Sequence, residues 1–287
     1  MDQYQLFAAI KRFACCLTVL SLLIPLSSFA APFDFGFKAG LEHFLWEEFE
    51  DDGSKLLDES GVRYMLSGFL GNTLRTNQNF IYHADAKLYF GDVDYDGQTQ
   101  DRVPVTSDTN YTGFLVEGEV GYRAGNASGN FAWDIVARGG FDSWVRQIDN
   151  SRDVTGRAVR GITEQYTILN LRAGTGPYWQ AGNWQGRFIA GFKLPLLTNE
   201  YISKEDSGFD DDVTLEPKGR VSPFLNFYSY VRLTDKLLFT IEAFYDSYRF
   251  DASDPEVVGV NGETILVWQP ESSQDNYGLQ GGVSFSF

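Results

Sequence analysis

The chain has 287 residues, with 39 Asp and Glu against 23 Lys and Arg and a formal net charge of −16. Such an acidic excess repels polyanions, and no basic stripe with interleaved aromatics interrupts it, so nucleic acid is not an expected partner. Gly (29) and aromatic residues (16%) are abundant, yet beyond residue 30 no apolar run reaches the roughly 18 residues that would mark a helical membrane span.

At the start, Lys11 and Arg12 precede an apolar run from Phe13 to Leu26, and small residues in Ser27-Ser28-Phe29-Ala30-Ala31 occupy the positions a signal peptidase reads. The run is about 14 residues, shorter than the roughly 20 a spanning helix needs, so residues 1–30 read as a cleaved secretory signal. Cys15 and Cys16 both lie inside it. The expected mature chain therefore holds no disulfide, thiolate nucleophile or cysteine metal ligand. Residues 31–287 show no linker and read as one domain.

Two-residue alternation predicts strands near 33–47, 60–70, 80–91, 111–123, 130–145, 164–175, 184–197, 219–233, 237–250 and 276–287. Uncharged faces run along them: Phe80, Tyr82, Ala84, Ala86, Leu88 and Phe90 on the third, Phe131, Trp133, Ile135, Ala137 and Phe141 on the fifth, and Leu237, Phe239, Ile241, Ala243 and Tyr245 on the ninth. The opposite faces carry His83, Asp85 and Lys87; Glu117, Glu119 and Arg123; Asp134, Arg138 and Asp142; Arg187 and Lys193; and Glu242 and Asp246. A dry two-sheet core would bury so many ions at great cost, whereas a barrel lumen pairs and hydrates them while lipid receives the apolar face. The expected fold is an all-β antiparallel transmembrane barrel of ten strands. Eight or twelve are the alternatives, because Gly68, the polar stretch 163–167 and Pro223 blur three strands.

Connections alternate as such a barrel requires: 48–59, 92–110, 146–163, 198–218 and 251–275 are long, and those between are short. The long ones hold nearly all the acidity and are expected to form hydrated loops at one end. Within the last, Asn261-Gly262 reads as the turn of an external hairpin between Val257 and Trp268. The third departs from the rule: Arg146, Arg152, Arg157 and Arg160 outnumber Asp149 and Asp153, a set suited to gripping an acidic loop or a lipid phosphate.

Three local patterns suggest chemistry. Asp92-Val-Asp94-Tyr-Asp96-Gly97 resembles the front half of an EF-hand loop, so Asp92, Asp94 and Asp96 are candidate calcium ligands, although Val103 stands where the closing Glu should be. No other cofactor is expected. His83 and Asp85, two apart on one strand, form either a proton-transfer unit or part of an interior network with Lys87, Glu117, Glu119, Arg123, Asp134, Arg138, Arg187, Lys193 and Glu242. Trp46, Trp133, Trp144, Trp179 and Trp184 fall near strand ends and read as an interfacial girdle.

The last segment, Tyr277 to Phe287, alternates without a break, with Tyr277, Leu279, Val283, Phe285 and Phe287 on one face and Gln280, Ser284 and Ser286 on the other. Gln280, Gly282, Phe285 and the final Phe287 resemble the assembly signal of bacterial outer-membrane barrels. At the level of architecture the chain resembles the small OmpA-like and OmpW-like barrels of that class. The resemblance implies export through the periplasm, insertion by the outer-membrane assembly machinery, and contact with outer-membrane lipid including lipopolysaccharide. Ten-stranded outer-membrane proteases also resemble it in size and strand number, but their catalytic Asp and His pair lies in the later half, and here no His follows His83. The expected role is a non-enzymatic surface barrel, with a narrow channel lined by the interior ions as the alternative and an envelope enzyme using His83 and Asp85 as the third reading.

Overall fold

Alternation becomes strand over most of the computed structural model, which describes residues 33–74, 78–98, 102–125, 130–260 and 262–287. In chain order the strands are β1 (Asp34–Phe49), β2 (Lys55–Gly71), β3 (Phe80–Gln98), β4 (Pro104–Gly125), β5 (Phe131–Ile148), the short pair β6 (Ser151–Arg152) and β7 (Ala158–Val159), β8 (Thr163–Ala181) and β9 (Trp184–Ile202). After a one-turn helix α1 (Lys204–Ser207) come β10 (Val213–Leu215), β11 (Lys218–Arg220), β12 (Ser222–Arg232), β13 (Leu237–Asp251), the hairpin β14 (Glu256–Val260) and β15 (Glu263–Val267), and β16 (Glu271–Ser286). Ten strands, β1, β2, β3, β4, β5, β8, β9, β12, β13 and β16, pair antiparallel in that order. β16 then pairs with β1 from Asp34↔Ser286 to Phe49↔Glu271 and closes the barrel. Closure leaves the wall without a free edge. The expected strand number and the expected hairpin at β14–β15 are both observed; Asn261 lies outside the described residues, and Gly262 follows it at φ +82.

Side chains divide by parity. Phe37, Leu88, Ile135 and Leu279 are 60, 57, 58 and 59% exposed on the outer surface, part of a continuous apolar band of the kind that soluble proteins do not expose. Strands of 16 to 22 residues, such as β1 and β4, are far longer than the roughly 9–11 residues needed to cross a bilayer. They project beyond the band at the end carrying the longer connections, here called the wide rim. This corrects the expected loops: β1 and β2 are joined by 50–54 alone, and Asp92, Asp94 and Asp96 lie within β3 rather than at a hairpin tip.

One irregularity redirects a strand. The β8–β9 register shifts so that Leu169 faces Leu197 and Asn170 faces Pro195, leaving Leu196 extra. Leu196 and Leu197 are consequently both exposed, and beyond them Thr198, Glu200 and Ile202 turn inward. Above the rim, Ile202, Val213, Leu215 and Val258 form a small separate core. Phe33 and Phe287 stack on one another, centroids 5.6 Å apart.

Candidate functional site in the barrel interior

The lumen is filled by stacked ionic layers. Nearest the short turns, Asp134, fully buried, accepts hydrogen bonds from Arg123 (2.8 and 2.9 Å) and from Arg187 Nε (2.8 Å). Arg187 Nη2 reaches on to Glu119 (2.7 Å), which also takes Arg138 Nε (2.5 Å). Arg123 lies on the Tyr178 ring, 3.7 Å from its centroid, a cation–π contact that partly replaces lost hydration. Leu74, Tyr228, Tyr230 and Leu238 cluster at this end.

One layer further, Lys38 is held between Asp85 (3.3 Å) and Glu242 (2.5 Å). His83 stacks on Phe69, centroids 5.6 Å apart, and makes no hydrogen bond to Asp85 among the described residues. Lys87 Nζ lies 4.1 Å from the Phe244 ring centre. The ionic groups of this layer, with Glu117, Arg138 and Arg172, line a cavity of about 30 Å3, above the roughly 10–15 Å3 that a buried water needs. Arg172 then pairs with Glu117 (2.8 Å) and Asp246 (3.1 Å), and Lys193 with Asp246 (2.8 Å). Asp142 accepts from the hydroxyls of Tyr89 (2.6 Å) and Tyr248 (3.0 Å).

Towards the wide rim, Arg63 pairs with Glu42 (2.6 Å) and lies 4.0 Å from the Phe44 ring centre. In the last layer Arg146 binds Glu59 (2.8 Å), Glu48 (3.3 Å) and Glu164 (2.7 Å). Tyr111 and Thr109 also donate to Glu59, and Trp46 Nε1 donates to Glu48 at 2.9 Å.

His83, Asp85, Lys87, Glu117, Glu119, Arg123, Asp134, Arg138, Arg187, Lys193 and Glu242 thus all face the interior. Lys38, Glu42, Arg63 and Arg172 complete the layers and escape a reading centred on the clearest apolar stripes, although strand parity alone places each of them. Three expectations are corrected. Arg146 is 2% exposed inside the barrel, not in a surface loop; Arg157 pairs with Asp153, and Arg160 donates to the Glu205 carbonyl at 2.9 Å. Trp46 and Trp144, 1 and 3% exposed, pack in the lumen against Tyr166, leaving Trp133, Trp184 and the Trp179 that packs on it to the outer surface. Asp92, Asp94 and Asp96 are exposed on the outer side of β3. Alternate residues of a strand stand about 6.6 Å apart, too wide for parallel carboxylates to share an ion whose ligands lie at about 2.3–2.6 Å. No metal-holding group of three His, Cys, Asp or Glu occurs among the described residues.

Of the assembly-signal residues, Gln280 accepts from Ser67 Oγ (2.7 Å) and Phe285 stacks on Phe35, centroids 5.4 Å apart. Gly282 is required by closeness: a Cβ there would lie 1.9 Å from the Phe37 carbonyl oxygen. His43, the other histidine, is on the outer face, where its ring Nδ1 meets the Gly61 carbonyl at 3.1 Å.

A closed antiparallel wall, apolar outside and ionic within, is the fold of the bacterial outer-membrane β-barrels. Among solved structures, the outer membrane protease OmpT from Escherichia coli aligns over 89% of this chain and 97% of its own, with TM-score 0.62 and 9% identity. The translocator domain of autotransporter NalP from Neisseria meningitidis aligns over 100% and 98%, with TM-score 0.46 and 9% identity. At 9% identity the likeness to the OmpT structure is one of fold alone. No family model and no curated protein matches the sequence.

Proposed function

We propose that the protein is an integral barrel of the bacterial outer membrane, closed to solutes, whose wide rim and hairpins are presented at the cell surface. The observation that carries this reading is the lumen: ionic layers joined wall to wall, with a cavity of only about 30 Å3 among them. Barrels of about eight strands are filled by side chains, and aqueous channels belong to much larger ones. The segment 1–30 serves as the export signal through the periplasm, and Gln280, Gly282, Phe285 and Phe287 are read by the assembly machinery. Lipopolysaccharide and neighbouring lipid are the immediate partners of the apolar band.

Among the described residues no catalytic constellation supports an enzymatic role. His83 is stacked in the interior without a hydrogen-bonded carboxylate, His43 faces outward, and Ser222 Oγ donates to the Ser247 carbonyl (2.6 Å) rather than to a histidine. Replacing His83 by Ala is expected to leave lipid and peptide turnover unchanged. The decisive test is conductance of the purified, folded barrel in a planar bilayer. No unitary current is expected; steady single-channel currents that change on Lys38→Ala would replace this reading with the narrow channel.

A further inference from the structure

The layer at the wide rim buries more acid than its cation balances. Glu48 (β1), Glu59 (β2), Glu164 (β8) and Glu200 (β9) are 6, 0, 7 and 1% exposed. Arg146 (β5) spends Nε and Nη2 on Glu59 and Nη1 on Glu48 and Glu164. None of these bonds reaches Glu200. Its Oε2 meets no donor in full hydrogen-bonding geometry, and the nearby Tyr166 hydroxyl favours the ionised form less than burial and the Glu164 and Glu48 carboxylates oppose it.

Glu200 is nonetheless aimed at the cluster, in the field of Glu164, Glu48 and Arg146. It is there because of the β9 bulge; without the extra residue, parity would put it on the outer face. The groups facing this layer from the other walls add no cation: Tyr95 on β3, Thr109 and Tyr111 on β4, Leu215 on β10, Phe250 on β13, and Ser272 and Gln274 on β16. Four ionised carboxylates against one guanidinium would leave a buried excess of negative charge, which proteins avoid by neutralising a group. A metal ion is not the neutraliser, because no group of three His, Cys, Asp or Glu among the described residues is placed to hold one. A proton needs no room.

We propose that Glu200 is held as the neutral acid, and that this proton latches the rim ends of β8 and β9 to the Arg146 layer. On raising the pH the proton passes to solvent, the carboxylate is repelled by Glu164 and Glu48, and the rim around Trp46 and Trp144 loosens. The latch does not depend on whether the barrel conducts.

The test is infrared spectroscopy of the full chain folded in lipid vesicles, with tryptophan fluorescence beside it. At neutral pH the wild type is expected to show a carboxylic-acid C=O band that Glu200→Gln lacks. Raising the pH should remove that band and shift the wild-type emission to the red, with no emission shift in Glu200→Gln. An identical acid band in Glu200→Gln overturns the proposal. So does a band that emerges only after a chelator is added, since a bound cation then held the site. Glu164→Gln supplies an independent check if the first variant fails to fold. It removes one of the two carboxylates on Arg146 Nη1 and with it a charge that repels Glu200, so the band should disappear at lower pH than in the wild type; an unchanged titration overturns the latch.

Discussion

The layer nearest the short turns makes an asymmetric prediction. Three guanidiniums, Arg123, Arg138 and Arg187, there surround two carboxylates, Asp134 and Glu119. Asp134→Asn keeps the side-chain shape but removes the anion that receives three hydrogen bonds from two arginines. Three cations then face one anion. Removing one partner of a buried ionic set costs about 3–5 kcal/mol. Arg187→Met instead leaves two cations against two anions, each carboxylate keeping an arginine at 2.8 Å or less. The loss is then that of charge-assisted hydrogen bonds, about 1.5–3 kcal/mol. The assay is urea unfolding in lipid vesicles, followed by tryptophan emission and by the shifted gel mobility of the folded barrel. A gap of about 2 kcal/mol between the variants is roughly a thirtyfold difference in folded-to-unfolded ratio. If Arg187→Met is the more damaging, or Asp134→Asn costs under about 1 kcal/mol, the charge accounting of the lumen is wrong.

Three further outcomes are expected. Ile241 lies on the outer surface midway between Leu237 and Tyr245, so Ile241→Arg should cost about 2–4 kcal/mol in vesicles; a neutral result in the same unfolding assay would deny that this face meets hydrocarbon. Deleting Leu196 removes the bulge and should turn Glu200 outward, making Trp46 and Trp144 more quenchable by aqueous iodide. In the β6–β7 hairpin, hydrogen bonds from Thr155 and then Arg157 hold the Asp153 carboxyl well below the usual carboxylate range. A depressed acid stabilises above its unfolded pKa and stops doing so as pH falls through its folded one, so the hairpin should resist proteolysis at pH 4, loosen only in much stronger acid, and be cut readily at pH 4 in Asp153→Ala.

How far the sequence is legible follows from what parity does and does not encode. Ile135 and Arg138 on β5 are assigned correctly because an unbroken strand fixes which side each residue faces. Trp46 and Trp144 defeat a reading based on nearness to a strand end, although both share parity with interior ions, Trp46 with Lys38 and Glu42, Trp144 with Arg138 and Asp142. Arg146 and Glu59 look like loop residues because acid near the rim resembles hydrated acid; only the continuing hydrogen-bond ladder shows that the strands run on past them. Glu200 is the hardest case, since a bulge inverts parity and nothing in Pro195-Leu196-Leu197 marks which residue is extra. Long-range partners such as Lys38 and Glu242, 204 positions apart, depend on closure and are invisible locally.

Why the interior is ionic rather than apolar follows from the two-residue period itself. In lipid, an apolar lumen would leave both faces of every strand alike, and a slip of one residue between neighbours would cost little. Here the same slip in β5 would carry Asp134, Arg138 and Asp142 to the lipid-facing side. Near the midplane, ionic side chains such as Arg138 cost about 2–4 kcal/mol each when they face lipid. It would also separate the Arg123–Asp134 and Arg138–Glu119 pairs from their facing partners on β4, where the register opposes Arg123 to Asp134 and Glu119 to Arg138 directly. The ionic layers therefore contribute more to choosing one register than to the depth of the folded state, since a well-packed apolar interior can equal a buried ion pair in stability. That reasoning predicts that converting Glu119 and Arg138 together to Gln and Met costs less than either change alone, while raising the fraction of chains that fold to a species with altered gel mobility; a double variant as uniform as the wild type would refute the register role.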